Sequence, residues 1–267
     1  ESMRESSVSL KSVRFFCRDI KPKDSSCGSI TQRQEIVSGF IQERMNGLTV
    51  MIIGAGGMGG EIGEGLIRKG VGCLKIFDGD SVELSNLTRQ KFFEEDLYKN
   101  KAISLGKNLS KQAIRKSEII AHPMMFQKAV EEGIDTTCDI AICVPDNDLT
   151  RIFTAKYFYQ KLPIIFVGLD REVSTGYIFI QVPKEACFGC AMPHALNRKR
   201  EPCPNSPAII DMVKIIAGNV LFAIDSTIME RKRNWNYRQI FIAGFAPEIA
   251  KDVERKKDCL LCKGKNI

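Results

Sequence analysis

Two cysteine pairs carry the clearest chemical signal in this 267-residue sequence. Two residues separate Cys187 from Cys190, and two separate Cys259 from Cys262. This spacing lets both thiolates of a pair reach one ion at about 2.3 Å, and four thiolates close a tetrahedral zinc site. A redox-active pair is the alternative, but neither pair opens a thioredoxin-like helix. We therefore expect a structural Zn²⁺ that ties the C-terminal segment to the main body of the domain.

A glycine-rich loop predicts a nucleotide site. The sequence GAGGMG places Gly54, Gly56, Gly57 and Gly59 between an apolar strand pattern and a helix pattern. Glycines let the backbone approach a nucleotide, and a helix N-terminus attracts negative charge. Asp78 ends the next strand pattern, close to the offset of about 20 residues expected for a carboxylate that binds ribose. Together these features predict an adenosine site, whereas a tight turn and an ordinary aspartate are the alternative.

Polar and cationic residues beyond Asp78 are not typical of a dehydrogenase. The hexapeptide SNLTRQ occupies residues 85–90, and Lys101 follows soon after. Nucleotidyl transfer depends on positive charge around the transferring phosphorus, so Arg89 and Lys101 are candidate triphosphate ligands. A Mg²⁺ ligand is then expected, and Asp146 follows a buried strand pattern at the same sheet edge. An ordinary helix N-cap is the alternative role for Asp146.

Alternating strand and helix patterns predict how these residues are positioned. Strands that alternate with helices indicate a doubly wound, Rossmann-like α/β domain with a mostly parallel sheet. From residue 176 onward, an alternating pattern indicates a C-terminal antiparallel extension tied by the four-cysteine zinc site. The predicted strands cover residues 48–53, 73–77, 118–122, 139–144, 163–169, 177–182 and 240–243. The predicted helices cover residues 58–69, 101–115, 149–161 and 209–228.

Composition narrows the class of protein. A hydrophobic content of 44% can build a substantial core, which excludes a disordered chain. We predict an N-terminal arm or irregular cap over residues 1–29 and one ATP-binding domain, with a zinc-binding C-terminal part, over residues 30–267. No apolar run reaches the roughly 18 residues that span a bilayer, and the first residues lack a secretory pattern. The net charge is +7, but the lysines and arginines are scattered along the sequence rather than grouped in one tract, which does not favour a nucleic-acid partner. A cytoplasmic protein without a membrane partner is expected.

The order of these motifs resembles the ubiquitin-activating-enzyme-like adenylyltransferases of the ThiF/MoeB/HesA type, which activate ubiquitin-like and sulfur-carrier proteins. The similarity runs from about Thr31 to Cys262. The segment around Lys101 departs from the family because it lacks the usual glycine-proline spacing. The motifs that carry the resemblance are, in order, TQRQ, GAGGMG, DGD, SNLTRQ, KNK, PDN, CFGC and CLLC.

The resemblance implies ATP and Mg²⁺ as cofactors and a role for each matching residue. Lys101 would contact the α-phosphate, Asp146 would bind Mg²⁺, and Arg33 would reach into the site of a partner subunit, so a homodimer is expected. The nucleotide site would comprise Gly54, Gly56, Gly57, Gly59, Asp78, Asp80, Ser85, Asn86, Arg89, Gln90, Lys101, Asp146 and Asn147.

Cys203 lies in a loop-like Glu-Pro-Cys-Pro segment, where related enzymes often carry a cysteine that accepts the activated acyl group or sulfur. Attack of its thiolate on an acyl-adenylate is one hypothesis, and a thiol without a catalytic role is the other. The resemblance also implies a downstream conjugating or sulfur-transfer protein.

The function expected from these residues is ATP- and Mg²⁺-dependent adenylation of the C-terminal carboxylate of a small ubiquitin-like or sulfur-carrier protein. Three alternatives stay open at this point. The first is activation of a transfer-RNA base, as in threonylcarbamoyl-adenosine dehydratases. The second is a non-catalytic scaffold subunit, and the third is a nicotinamide dehydrogenase.

Overall fold

The protein is built on one large sheet, as seen in a computed structural model that describes residues 11–20, 28–170, 174–196, 208–229, 231–241 and 246–263. Nine strands are found within these ranges. They are β1 (Val13–Phe16), β2 (Thr49–Ile53), β3 (Cys73–Phe77), β4 (Glu118–His122), β5 (Ile140–Cys143), β6 (Ile164–Leu169), β7 (Thr175–Gln181), β8 (Tyr237–Phe241) and β9 (Ile249–Lys251).

Helices connect the strands and cover both faces of the sheet. Three short 3-10 turns accompany them, at Leu84–Asn86, Glu94–Asp96 and Pro193–Leu196. The α-helices are α1 (Gln32–Glu35), α2 (Gln42–Gly47), α3 (Gly57–Lys69), α4 (Lys101–Ser110), α5 (Phe126–Glu131), α6 (Asp148–Tyr157), α7 (Phe188–Ala191) and α8 (Ile210–Ile228).

The strand order is β1-β4-β3-β2-β5-β6-β7-β8-β9. The five central strands, from β4 to β6, are parallel, and β2 pairs with both β3 and β5. The chain therefore moves outward in one direction from β2 to β4 and in the other from β5 to β6, which creates a switch point between β2 and β5. This arrangement confirms the predicted α/β fold with a mostly parallel central sheet.

The C-terminal part of the sheet is antiparallel from β6 through β9, as the alternating pattern predicted. The prediction that residues 240–243 form the last strand is wrong. Strand β8 begins earlier, at Tyr237, and β9 follows it before the second cysteine pair. Residues 242–245 lie outside the described residues. The polar residues within β8 and the exposed residues of β9 explain why an apolar pattern did not reveal the full extent of either strand.

The N-terminal segment contributes a strand that the sequence did not reveal. Residues 13–16 form β1, which pairs antiparallel with β4, so they are not part of an irregular cap. Phe15 packs on α4, where a Cβ atom added to Gly106 would lie 2.8 Å from the Phe15 ring. Arg14 forms an ion pair with Glu118 of β4 at 2.5 Å. The strand has four residues, and only two of its apolar side chains contact the domain. This pattern is too short to identify a strand from the sequence.

Two apolar layers cover the two faces of the sheet because successive side chains of a strand point to opposite faces. Ile52 of β2 belongs to the layer formed with α3, α4 and α8. Met51 and Ile53 belong to the layer formed with α5, α6 and the four cysteines of the two CxxC pairs. Strands buried on both faces read as continuous apolar runs, which is why the central strands were predicted well. Within the described ranges, no helix combines the length and the apolar character that a bilayer span requires.

Candidate functional site

A cleft of about 1610 Å³ opens at the carboxyl ends of β2, β3, β5 and β6. Open α/β sheets bind ligands at this edge, beside the switch point in strand order. All the predicted nucleotide-binding residues except Gly59 line the cleft, and their binding of ATP stays a prediction. The predicted residues that the fold brings together are Gly54, Gly56, Gly57, Asp78, Asp80, Ser85, Asn86, Arg89, Gln90, Lys101, Asp146 and Asn147.

The glycine loop connects β2 to α3 and forms the floor of the cleft. Gly54 has φ +107°, a backbone conformation that strains other residues, and its N–H donates to the carbonyl of Phe77 at 2.9 Å. Gly56 is the N-cap of α3, so the helix N-terminus faces the cleft. Gly59 does not line the cleft. A Cβ atom at Gly59 would lie 2.0 Å from the carbonyl oxygen of Gly54, so this glycine lets the helix pack against the loop.

Asp78 joins the glycine loop to the end of β3. Asp78 is only 8% exposed. Both of its carboxylate oxygens accept hydrogen bonds from backbone N–H groups. Ala55 N–H donates to Oδ2 at 2.7 Å, and Asp80 N–H donates to Oδ1 at 2.9 Å. Burial raises the pKa of Asp78, and the two N–H donors act in the opposite direction. Each oxygen keeps a second lone pair, so Asp78 can still accept a ribose hydroxyl.

Lys101 reaches the cleft because α4 is docked onto the end of β3. Asn100 is the N-cap of α4, and its Oδ1 accepts from Ile103 N–H at 3.1 Å. The amide of Asn100 also donates to the carbonyls of Asp78 at 2.9 Å and Asp80 at 3.2 Å. Lys101 Nζ lies 3.3 Å from Asp80 Oδ2. Asn100 was not among the predicted site residues, although asparagine before a helix is a common N-cap.

The SNLTRQ segment holds Arg89 beside the N-terminus of α3. Asn86 is buried, and its Oδ1 accepts from Glu83 N–H at 3.1 Å, which stabilises the turn. Arg89 donates to the Ser85 carbonyl at 2.8 Å. A Cβ atom at Gly57 would lie 3.0 Å from the Arg89 carbonyl, so the backbone of the segment packs directly on α3. Arg89 lines the cleft together with Gly56 and Gly57, at a helix N-terminus that favours an anion.

Asp146 stands at the cleft in the turn between β5 and α6. The N-cap of α6 is Asn147, whose Oδ1 accepts from Thr150 N–H at 2.9 Å, so the alternative that Asp146 caps the helix is wrong. Asp146 is exposed, and its Oδ1 accepts from the Asn147 amide at 3.2 Å. Because Mg²⁺ is usually held by one or two carboxylates together with substrate phosphates, this exposed carboxylate fits a magnesium ligand.

Apolar residues that the sequence analysis did not select also line the cleft. Met125 is 49% exposed and Leu149 is 52% exposed, and both contribute to the lining. Gln127 also lines the cleft, and its amide donates to Thr150 Oγ1 at 2.8 Å. Exposed apolar side chains beside a polar cleft provide a surface for a planar base. The sequence signal for Met125 and Leu149 is only their type and place, a large apolar residue just after a predicted strand or at the start of a predicted helix.

Two predicted catalytic residues are not among the described residues that line the cleft. Arg33 lies on α1 with an exposed side chain and does not line the cleft of its own chain. Its predicted role in a partner subunit stays a prediction. Cys203 lies outside the described residues, so its hypothesis also stays open.

The two cysteine pairs form one buried cluster, which we call the four-cysteine cluster. The four sulfur atoms lie within 4.8 Å of one another. Cys187 Sγ lies 3.7 Å from Cys190 Sγ and 3.5 Å from Cys259 Sγ, and Cys190 Sγ lies 3.7 Å from Cys262 Sγ. A tetrahedral ion with sulfur ligands at about 2.3 Å requires sulfurs about 3.8 Å apart. The cluster therefore has the geometry of a zinc site and could bind zinc.

The surroundings of the four-cysteine cluster also fit a cation. Burial raises the pKa of the Cys187 and Cys190 thiols, so four deprotonated sulfurs need a positive charge among them. Lys256 N–H donates to Cys190 Sγ at 3.3 Å. Gln181, at the end of β7, accepts from Phe188 N–H at 2.8 Å and fixes the first pair to the sheet. Four ligands leave no open position for substrate, which is typical of a structural site.

Solved structures share this fold. The structure of E. coli MccB with ATP has a TM-score of 0.74, with 20% identical residues, and the match covers 90% of this chain and 75% of that one. A structure of PaaA has a TM-score of 0.63 with 20% identical residues, covering 80% of this chain and 67% of that one.

Curated relatives share part of the sequence. Ubiquitin-like modifier-activating enzyme 5 of Culex quinquefasciatus is 30% identical over 175 residues, which cover 61% of this chain and 44% of the relative. Adenylyltransferase and sulfurtransferase MOCS3-2 of Zea mays is 29% identical over 110 residues, which cover 41% of this chain and 23% of the relative. The matched region spans less than half of each relative's length. The ThiF family model matches residues 30–261, and it includes the glycine loop, Lys101, Asp146 and most of the four-cysteine cluster. The chain belongs to the ThiF family.

Proposed function

We propose that this protein uses ATP and Mg²⁺ to adenylate the C-terminal carboxylate of a small ubiquitin-like or sulfur-carrier protein. The observation that carries the proposal is the convergence of the glycine loop, Asp78, Arg89, Lys101 and Asp146 on one cleft. The names of the curated relatives, an activating enzyme for a ubiquitin-like modifier and an adenylyltransferase, support the same reaction class.

Each part of the cleft has a role in this proposal. The carboxylates of Asp78 and Asp80 accept the ribose hydroxyls, and the N-terminus of α3 and the Arg89 guanidinium lie against the phosphates. Lys101, whose Nζ is 3.3 Å from Asp80 Oδ2, moves from this carboxylate to the α-phosphate when the nucleotide binds. Met125 and Leu149 pack against the adenine.

The reaction needs positive charge rather than a general base. The carboxylate of the carrier is already ionised near neutral pH, and one of its oxygens attacks the α-phosphorus. The bond between this phosphorus and the bridging oxygen breaks, and pyrophosphate leaves with the electron pair. Lys101 and Arg89 stabilise the charge that develops on the phosphate oxygens. When bound, Mg²⁺ would be held by Asp146 and would supply further charge neutralisation at the phosphates.

The remaining parts of the proposal concern assembly and structure. The four-cysteine cluster holds Zn²⁺ and has a structural role. Two copies of the chain form a homodimer in which Arg33 of one copy completes the site of the other. After adenylation, we propose that the Cys203 thiolate attacks the acyl carbon of the adenylate, and AMP leaves with the electron pair of the broken C–O bond. The resulting thioester would then be the substrate of a conjugating or sulfur-transfer protein.

Exchange of radiolabelled pyrophosphate into ATP tests the proposal. We expect exchange only when ATP, Mg²⁺ and the correct carrier protein are all present, because the adenylate forms reversibly. Asp146→Ala should abolish exchange, whereas Asp252→Ala, which removes an exposed carboxylate of the C-terminal segment, should not. Full exchange by Asp146→Ala would contradict the proposed magnesium ligand. Mass spectrometry of the reaction mixture would show whether Cys203 acquires the carrier.

A further inference from the structure

Arg151 is a buried arginine at the edge of the cleft that the proposed reaction leaves without a role. It lies in the first turns of α6 and is only 9% exposed, yet it contributes to the cleft lining. A guanidinium is costly to bury unless its N–H groups and its charge find partners. The position of those partners shows what the residue stabilises.

The partners of Arg151 come from three different segments. Nη2 donates to the carbonyl of Pro145 at 2.5 Å, in the turn that follows β5. The same nitrogen lies 3.3 Å from the carbonyl of Val167 in β6. Nη1 donates to Asp148 Oδ1 at 3.1 Å, in the first turn of α6. One planar group therefore connects the turn, the helix and the neighbouring strand.

This turn is the one that presents Asp146. Pro145 precedes Asp146, and proline has no N–H with which to anchor its own segment. The opposite side of the turn abuts the glycine loop, because a Cβ atom at Gly54 would lie 2.9 Å from the Val144 carbonyl. The hydrogen bond from Arg151 to the Pro145 carbonyl and the Asn147 cap thus restrain the backbone on both sides of the exposed carboxylate.

We infer that Arg151 is a positioning residue that holds the 145–148 turn, and through it Asp146, in the orientation that receives the nucleotide-bound cation. The inference rests on the proposed function for the role of the cation. Arginine suits this task because its planar fork satisfies acceptors in several directions at once, whereas a lysine ammonium at the end of a flexible chain cannot reproduce the geometry.

Two measurements test the inference without relying on turnover. Hydrogen–deuterium exchange of the unliganded protein reports the mobility of amides 146–150. Electron paramagnetic resonance of Mn²⁺, titrated in the presence of the ATP analogue AMPCPP, reports cation binding. The variants are Arg151→Met and Arg151→Lys. The matched control is Arg44→Met, because Arg44 also donates to a backbone carbonyl, that of Ile228 at 3.2 Å, but does not line the cleft.

We expect Arg151→Met to accelerate exchange at amides 146–150 and to weaken Mn²⁺ binding by about 10–100-fold, the usual effect of losing a group that orients a metal ligand. Arg151→Lys should change the hydrogen–deuterium exchange and the Mn²⁺ affinity in the same direction but by less. If Arg151→Met does not fold, Arg151→Lys alone tests the inference. Arg44→Met should change neither.

The inference would be overturned if folded Arg151 variants kept both the hydrogen–deuterium exchange rates of amides 146–150 and the Mn²⁺ affinity of the wild-type protein. Faster hydrogen–deuterium exchange spread evenly over β5, β6 and α6 would also overturn it, since that result would show that Arg151 stabilises this whole region rather than the turn. If the wild-type protein shows no ATP–pyrophosphate exchange with any carrier, the proposed function fails. The exchange data on the unliganded protein would still show whether Arg151 holds the turn.

Discussion

The cleft and the four-cysteine cluster are built from the same sheet but differ in what their residues can do. The cleft collects charged groups from the ends of four strands, and some of them remain open to solvent, such as the Asp80 side chain at 53% exposure. The cluster collects four identical ligands inside an apolar layer, where Cys187 has no exposed surface. The cleft thus combines exposed groups such as Asp80 with buried ones such as Asp78, whereas all four ligands of the cluster are buried.

The difference also concerns how each site is held. In the cleft, backbone N–H groups and carbonyls position the charged residues, as the bonds of Asp78 and Asn100 show. In the cluster, a bound ion would supply most of the stabilisation, because buried thiols alone attract one another weakly. Perturbing the cleft should therefore affect chemistry first, and perturbing the cluster should affect stability first.

The largest effect is expected from Lys101→Ala. Removing one charge that stabilises the transition state costs about 10²–10³-fold in rate, so ATP–pyrophosphate exchange should fall by that amount. The melting temperature should change less than the rate, since the ion pair that Lys101 forms with Asp80 involves a carboxylate that is 53% exposed, and such pairs contribute little to stability. Lys111→Ala, which removes an exposed lysine at the other end of the same helix, is the control. Equal losses in the two variants would show that net charge, not position, matters.

Cys259→Ser should mainly reduce stability. Loss of one of the four proposed zinc ligands is expected to lower the free energy of unfolding by more than about 3 kcal/mol, which is among the large effects of single substitutions. Chelation of the ion should have a similar effect. Chemical denaturation together with zinc analysis by mass spectrometry measures both. If the variant kept its stability but lost exchange activity, the cluster would have a direct role in the reaction.

Gly59→Ala tests the packing that supports the glycine loop. The added methyl group would approach the Gly54 carbonyl at 2.0 Å, so the loop must shift, at a cost of about 1–3 kcal/mol. ATP affinity, measured by calorimetry, should fall as well. Gly218→Ala is a matched control in α8, where no described atom other than those of the adjacent residues and of the backbone of the helix itself lies within 4 Å of the added carbon. That control should be neutral or stabilising, because alanine favours a helix over glycine.

The smallest effect is expected from Asn100→Ala. Loss of this helix cap should cost about 1 kcal/mol of stability. Because Asn100 also binds the end of β3, the position of Lys101 should loosen and exchange activity should fall further than stability alone explains. Asn219→Ala, whose side chain donates to a carbonyl on the surface of α8, is the control. A decrease in stability without any decrease in activity would restrict Asn100 to a capping role.

Much of the fold could be predicted because its central strands are buried on both faces. The predicted bounds of β3 and β4, Cys73–Phe77 and Glu118–His122, match the structure. Lys75 interrupts the apolar pattern of β3, but a glycine before this strand and an aspartate after it mark its ends. Strand β1 was missed because it is short and only two of its apolar residues, Val13 and Phe15, are partly buried. Strands β8 and β9 were incompletely predicted because they lie near the sheet edge, where polar side chains are tolerated.

The candidate site was predicted through residues whose type reveals their chemistry. Glycines before a helix and a carboxylate after a strand can be recognised locally, since strand ends meet at one edge of a parallel sheet. Residues that act through other residues could not be recognised in this way. Arg151 bonds to carbonyls that lie 6 and 16 residues away, and Asn100 bonds to residues 20 and 22 positions away.

The sequence by itself determined the chemistry that is available: two cysteine pairs with the spacing of metal ligands, a glycine loop, and charged groups suited to a triphosphate. Only the tertiary structure decided which of these meet. It placed the four sulfurs within 4.8 Å of one another and gathered the predicted nucleotide-binding residues around one cleft. It also excluded Gly59 from the lining and made Asn147, rather than Asp146, the helix cap. The physical reason is that residue types and local spacing set chemical capacity, whereas distances between remote segments depend on strand order and packing.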